Sequence, residues 1–138
     1  MTPHQATAVA IRGRALLIEG VPGSGKSSLA LGLIDRGAML IGDDGVMLEM
    51  KSGQLLAHPH PNTRGLMEVR NLGLLRYEPC VGMPVALVLQ LDHDAPRFVE
   101  AAETVMREGI TLPMLRLWPD SPVLAIRAEL ALERFGLT

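Results

Sequence analysis

Apolar residues fall into short runs separated by turn chemistry, and the runs set the element pattern. ATAVAI (6–11) and ALLI (15–18) predict two strands, with Gly13 as the turn of a hairpin. From Ser27 to Arg36 the spacing of Leu29, Leu33 and Ile34 predicts a helix with one apolar face, stopped by Gly37. Met39–Ile41 predicts a short buried strand ending at Asp43-Asp44. Val46–Met50 predicts the next strand, Lys51-Ser52-Gly53 a turn and Leu55–Ala57 the returning partner. HPHPNTRG (58–65) reads as a loop, and Met67–Leu75 as loop plus strand. Val85–Leu91 is the most apolar run and predicts a strand central in the sheet. Pro96–Glu108 predicts a short helix ended by Gly109, and Leu112–Leu117 a strand. Val123–Phe135 predicts a C-terminal helix with Ala125, Leu130 and Leu132 available for packing. Strands outnumber helices and several are joined by hairpin turns, so the expected class is α/β with a mixed sheet flanked by helices.

Composition narrows the picture. At 138 residues, the length fits one domain, residues 1–138, and 48% hydrophobic residues supply an ample core. Two Phe, one Tyr and one Trp leave aliphatic side chains and eight irregularly spaced Met to fill it. A net charge of −2 lacks the basic footprint of nucleic-acid binding. No run reaches the roughly 18–20 apolar residues of a membrane span, and MTPHQATAVAIRGRALL is not a secretory signal. The one cysteine, Cys80, reads as a small hydrophobe and fits a reducing compartment. A soluble cytoplasmic domain, with neither nucleic acid nor membrane as partner, is expected.

The chemistry centres on GVPGSGKSS, residues Gly20–Ser28. Gly20, Val21, Pro22, Gly23, Ser24, Gly25, Lys26 and Ser27 have the spacing of a phosphate cradle, with a strand before and a helix after. Glycines let successive N–H groups turn toward phosphate oxygens, and the helix adds its positive end. Lys26 is placed to neutralise β- and γ-phosphates, and the Ser27 hydroxyl to ligate Mg²⁺. The chain has only two lysines, Lys26 and Lys51, so lysine here does not follow from composition.

Asp43 and Asp44 close the next strand, where carboxylates reach a metal at the cradle. As neighbours on a strand end they point to opposite sides, which suits separate roles: one orients metal-bound water, the other accepts a proton. A solvated DDG turn is the alternative. Glu68 and Arg70 alternate by two and share a strand face, which suits a metal–phosphate site or a surface ion pair. His58, His60 and His93 show no metal-ligand spacing, and the HPHP pair reads as solvated. His4 sits near the chain start.

Taken together, His4, GVPGSGKS with its LALGLIDRG helix, LIGDD and EVRNLG resemble the catalytic domain of HPr kinase/phosphorylase, particularly short forms lacking the N-terminal domain. The resemblance runs over roughly residues 4–117. It implies a fold similar to the nucleotide domain of phosphoenolpyruvate carboxykinase, and ATP- and Mg²⁺-dependent phosphorylation of a serine on an HPr-type phosphocarrier of the sugar phosphotransferase system. It also implies reversal with inorganic phosphate, a regulatory role in carbohydrate metabolism and a homo-oligomer. Carried onto this chain, it makes Lys26 the phosphate lysine, Ser27 and Glu68 the magnesium ligands, and Asp44 the proton acceptor with Asp43 beside the metal. Arg70, Leu72 and Gly73 fall in the signature loop, Arg97 matches a catalytic arginine, and His4 a histidine near the phosphate.

Two departures bear on this expectation. Asn71 stands where the signature carries glycine, and a positive φ there would make Asn the least costly substitute. LWPDSPVLAIRAEL lacks the basic, glycine-containing loop tied to the reverse reaction, so kinase activity is expected ahead of phosphorolysis. Two other readings share the cradle: a small-molecule P-loop kinase, and a non-catalytic ATP-binding regulatory module.

Overall fold

The computed structural model describes residues 1–138. Eleven strands and two helices follow one another as β1 (Thr2–His4), β2 (Thr7–Ile11), β3 (Arg14–Glu19), α1 (Lys26–Asp35), β4 (Met39–Gly42), β5 (Val46–Lys51), β6 (Gln54–Pro59), β7 (Leu66–Val69), β8 (Gly73–Arg76), β9 (Met83–Leu91), β10 (Glu103–Arg107), β11 (Ile110–Leu117) and α2 (Leu124–Phe135). Nine strands form one mixed sheet, ordered β1-β5-β6-β9-β3-β2-β4, with β11 also on β9 and β10 on β11. The β7–β8 hairpin stands apart.

As its unbroken apolar run demands, β9 is central. One edge runs parallel to β3. The opposite edge is shared between β6 at the start of β9 and parallel β11 at its end. Period-two alternation then makes two cores. Leu16 and Ile18 face Leu29 and Leu33 of α1 and Ala128 and Leu132 of α2. Ala15 and Leu17 face the other way, toward Ile41, Val46, Leu48, Leu55, Leu112 and Met114, all from strands. The sheet therefore curls around its second core instead of covering it with helices. Each fully buried Leu or Ile contributes about 1.5–3 kcal/mol relative to exposure. The helices approach closely at Gly32, where an added Cβ would lie 3.3 Å from Ala125 Cβ.

Three hairpins turn on X-Gly pairs with positive φ at both positions: Arg12-Gly13 (49°, 81°), Ser52-Gly53 (53°, 76°) and Glu108-Gly109 (49°, 79°). These two-residue turns match the twist of paired strands. The third corrects the helix predicted over Pro96–Glu108. Thr104, Val105 and Met106 form a strand with Val105 turned to the second core, and Gly109 closes a hairpin rather than a helix. Leu130 is also corrected: it is 57% exposed, and Leu124, Ala128, Ala131 and Leu132 make the packed face of α2. Nor is HPHP wholly a loop. His58 and Pro59 belong to β6, and His58 Nε2 pairs with Glu49 Oε1 at 2.9 Å. Met67–Leu75 holds two strands rather than one. No helix is long and apolar enough to cross a membrane.

Parallel β3, β9 and β11 all end on the same side of the sheet. The Gly20–Gly25 loop leaves β3 at that edge, the usual place for ligands on such sheets.

Candidate active site

Between β3 and α1 the chain is shaped by glycines at positive φ, Gly23 (80°) and Gly25 (104°). Gly25 caps α1 without a side-chain hydrogen bond, so the first-turn N–H groups keep no capping partner on their own helix. Ser24 N–H donates to the Val21 carbonyl at 3.1 Å, which closes the loop on itself. Lys26 is buried, and its Nζ donates to the carbonyls of Gly20 (3.0 Å) and Val21 (3.3 Å). The ammonium thus lies along the loop, ringed by backbone dipoles.

Asp43 ties this loop to the strand next in sequence. Its Oδ1 accepts from Ser27 Oγ at 2.5 Å and from Thr7 Oγ1 at 3.2 Å, and its Oδ2 accepts from the Glu68 N–H at 3.3 Å. Three segments far apart in sequence converge on one carboxylate. Asp44 points elsewhere. It holds a left-handed φ of 59°, donates its N–H to Thr7 Oγ1 at 3.1 Å and leaves its carboxylate exposed without a protein partner. A Cβ on Gly42 would come within 2.5 Å of the Gly45 carbonyl, so this turn is packed backbone on backbone.

His4 is the last residue of β1, registered opposite Val46 of β5. Its Nε2 bonds Glu19 Oε2 at 2.7 Å. Glu19, the residue before Gly20, is 9% exposed and also receives Arg107 through Nη2 (2.6 Å) and Nε (3.1 Å). Burial pushes its carboxyl upward, but the hydrogen bonds from His4 and Arg107 outweigh that and hold it down at about 2.

Of the residues expected at the site, the structure joins the Gly20–Ser27 loop to Asp43 directly, ties Asp44 to it only through its backbone N–H on Thr7, and brings His4 beside the cradle through Glu19. Glu68 arrives through its backbone, with its side chain exposed. Arg70 is exposed one residue beyond β7, and no ion pair joins it to Glu68. Arg97 makes no bond to the cradle and lines a cavity of about 330 Å³ with Arg116, Trp118 and Arg127. Thr7, Glu19 and Arg107 escape the sequence reading. Glu19 carries a signal in hindsight, as a lone charge ending an apolar run before the cradle. Thr7 and Arg107 carry none.

Mg²⁺ can be tested against the donors present. No three His, Cys, Asp or Glu side chains gather to form a protein cage. The Ser27 hydroxyl on Asp43 is instead an oxygen pair of the kind Mg²⁺ takes when phosphates and waters complete its shell. The Ser24 hydroxyl is buried in the loop with no hydrogen-bond partner, a polar group suited to a further acceptor. The site fits the ion.

A family model described as "HPr Serine kinase C-terminal domain" matches residues 2–87. That stretch holds His4, the cradle, Asp43, Asp44, Glu68 and Arg70, and stops before Arg97 and Arg107. The chain is 36% identical over 95 residues to the HPr kinase/phosphorylase of Mycoplasma mycoides, covering 64% of this chain and 30% of the relative. It is 40% identical over 76 residues to that of Exiguobacterium sp., covering 54% and 24%. It therefore spans at most about a third of the length of these curated relatives. The solved Hpr(Ser) kinase/phosphatase from Coxiella burnetii superposes with a TM-score of 0.85 at 22% identity, over 96% of this chain and 95% of that one. That likeness establishes the fold, a mixed curled sheet with two helices.

Proposed function

Because the chain belongs to the HPr serine kinase C-terminal domain family, we propose that it transfers the γ-phosphoryl group of ATP to a seryl hydroxyl on an HPr-type phosphocarrier. The observation carrying this reading is the Ser27–Asp43 hydrogen bond, which fastens the start of α1 to the Asp43-Asp44 turn. A nucleotide-holding module needs the loop alone. Here a second, exposed carboxylate stands beside that fastening with no structural partner of its own.

In this reading the loop amides and Lys26 hold the β- and γ-phosphates as a P-loop. Ser27 and Asp43 would hold Mg²⁺, which when bound supplies charge neutralisation at the phosphate oxygens. Glu68 lies near enough through its backbone for its carboxylate to join them. Asp44 accepts the seryl proton as the hydroxyl oxygen forms its bond to phosphorus, and ADP leaves with the electron pair of the broken bond. His4 attends the phosphoryl group, and Arg70 the carrier side of the site. Family membership favours a homo-oligomer in the cytoplasm with a nucleotide domain like that of phosphoenolpyruvate carboxykinase. Arg97, on the segment that follows β9, is the arginine that would stabilise charge on the migrating group, as the resemblance implies.

Incubation of the chain with γ-labelled ATP, Mg²⁺ and purified carrier tests the proposal. Label on a carrier serine is the expected result. Label on a small metabolite instead, or ATP binding without any transfer, would overturn it.

A further inference from the structure

Glu19 is an unusual residue for its position. The strand before it is wholly apolar from Ala15 to Ile18, and its own side chain is enclosed. Burying a carboxylate is costly unless its lone pairs are met. Here they are met by two groups from distant parts of the chain, His4 on the edge strand β1 and Arg107 at the end of β10. Arg107 directs two of its three nitrogens, Nε and Nη2, at Glu19, and Nη1 donates to the Met106 carbonyl at 3.0 Å. It is a brace. β1 in turn is three residues long, and a strand end so short frays unless a side chain fastens it.

We propose that Glu19, braced by Arg107, is a positioning residue for His4, fixing both the place of the ring and the nitrogen that carries its proton. This rests on the reading that His4 attends the phosphoryl group. A carboxylate clasped by a guanidinium is an acceptor only, so the bond at 2.7 Å requires hydrogen on His4 Nε2. In the neutral ring, Nδ1 is then the bare nitrogen. No protein group bonds Nδ1, so this is the atom that the ring offers to substrate. Arg107 lies outside the stretch matched to the family, so the brace is a feature read from this chain's own geometry.

Histidine-labelled nitrogen NMR on the whole chain reads the proton's place directly. The neutral His4 ring of the unaltered protein is expected to show hydrogen on Nε2 alone. In Glu19→Gln one oxygen becomes a donor, three donor atoms face a single acceptor, and the Nδ1–H form becomes populated. Arg107→Gln is expected to do the same more weakly. In the transfer assay Glu19→Gln lowers kcat about tenfold or more, with KM for ATP within about twofold. Combining it with His4→Gln adds no loss beyond His4→Gln alone. An unaltered protein with hydrogen on Nδ1, a tautomer indifferent to Glu19→Gln, or additive losses in the double variant would each overturn the proposal. The first measurement needs no variant, so a folding defect does not obscure it. Should the unaltered chain phosphorylate no carrier, the functional reading fails, and the tautomer still decides the positioning.

Discussion

Ser27 and Asp43 meet across 16 residues of chain, hydroxyl to carboxylate at 2.5 Å, and the same Oδ1 takes the Thr7 hydroxyl. Removing Asp43 leaves these donors and the Glu68 N–H without their acceptor. The Glu68 N–H is exposed and turns to water, so the loss falls on the two part-buried hydroxyls and costs about 1–3 kcal/mol in all. Asp43→Ala is expected to lower stability by about that much and to abolish the Mg²⁺ dependence of ATP affinity. Denaturant unfolding and nucleotide titration with and without Mg²⁺ check both parts. Unchanged Mg²⁺ dependence would remove Asp43 from the metal site.

Asp44 and Lys26 separate chemistry from binding. The Asp44 carboxylate touches no protein group, so Asp44→Asn is expected to keep ATP affinity while lowering transfer by about 10²–10⁴-fold. Lys26 is built into the loop, so Lys26→Ala is expected to lose affinity and transfer together. Isothermal titration beside the transfer assay resolves the two. Equal loss of affinity in both variants contradicts the assignment.

Local chemistry made most of this fold legible. Glycine spacing announces the cradle, continuous apolar runs announce β2, β3 and β9, and Ser52-Gly53 announces its hairpin. The Pro96–Glu108 segment misleads because Gly109 serves equally as a helix stop or as the second residue of a hairpin turn. The pairing of β10 with β11 settles which, and no local signal encodes it. The site divides along the same line. Groups within the loop and strand ends are readable from spacing. Thr7, Glu19 and Arg107 matter only through bonds spanning 36, 15 and 88 residues, which depend on the curl of the sheet.

Asn71 holds a φ of 73°, the conformation suspected where the signature carries glycine. Its side chain is exposed, so conformation rather than packing decides what it tolerates. Asn71→Gly is expected to leave stability within about 0.5 kcal/mol, and Asn71→Val to cost about 1–2 kcal/mol through its β-branch in the left-handed region. Thermal unfolding of the two variants checks this. Equal stability would mean that the loop relaxes to another conformation.

Glu19 makes a pH-dependent contribution to stability whose sign follows from its partners. The groups facing it are His4 and Arg107. Its carboxyl lies at about 2 in the fold against 4.5 when free, so the unfolded chain binds the proton more readily between those values. The stabilisation is therefore complete above about pH 4.5 and is lost as pH falls through about 2. At 1.36 kcal/mol per pH unit, reduced for the part of the group that solvent reaches, it amounts to about 1–3 kcal/mol. Glu19→Gln should be less stable than the unaltered chain by that margin at neutral pH, with the gap closing between pH 4.5 and 2. Paired urea-unfolding curves over this range measure it. A gap that stays constant as the medium is acidified would mean that Glu19 stabilises through packing, without the charge that holds His4 and Arg107.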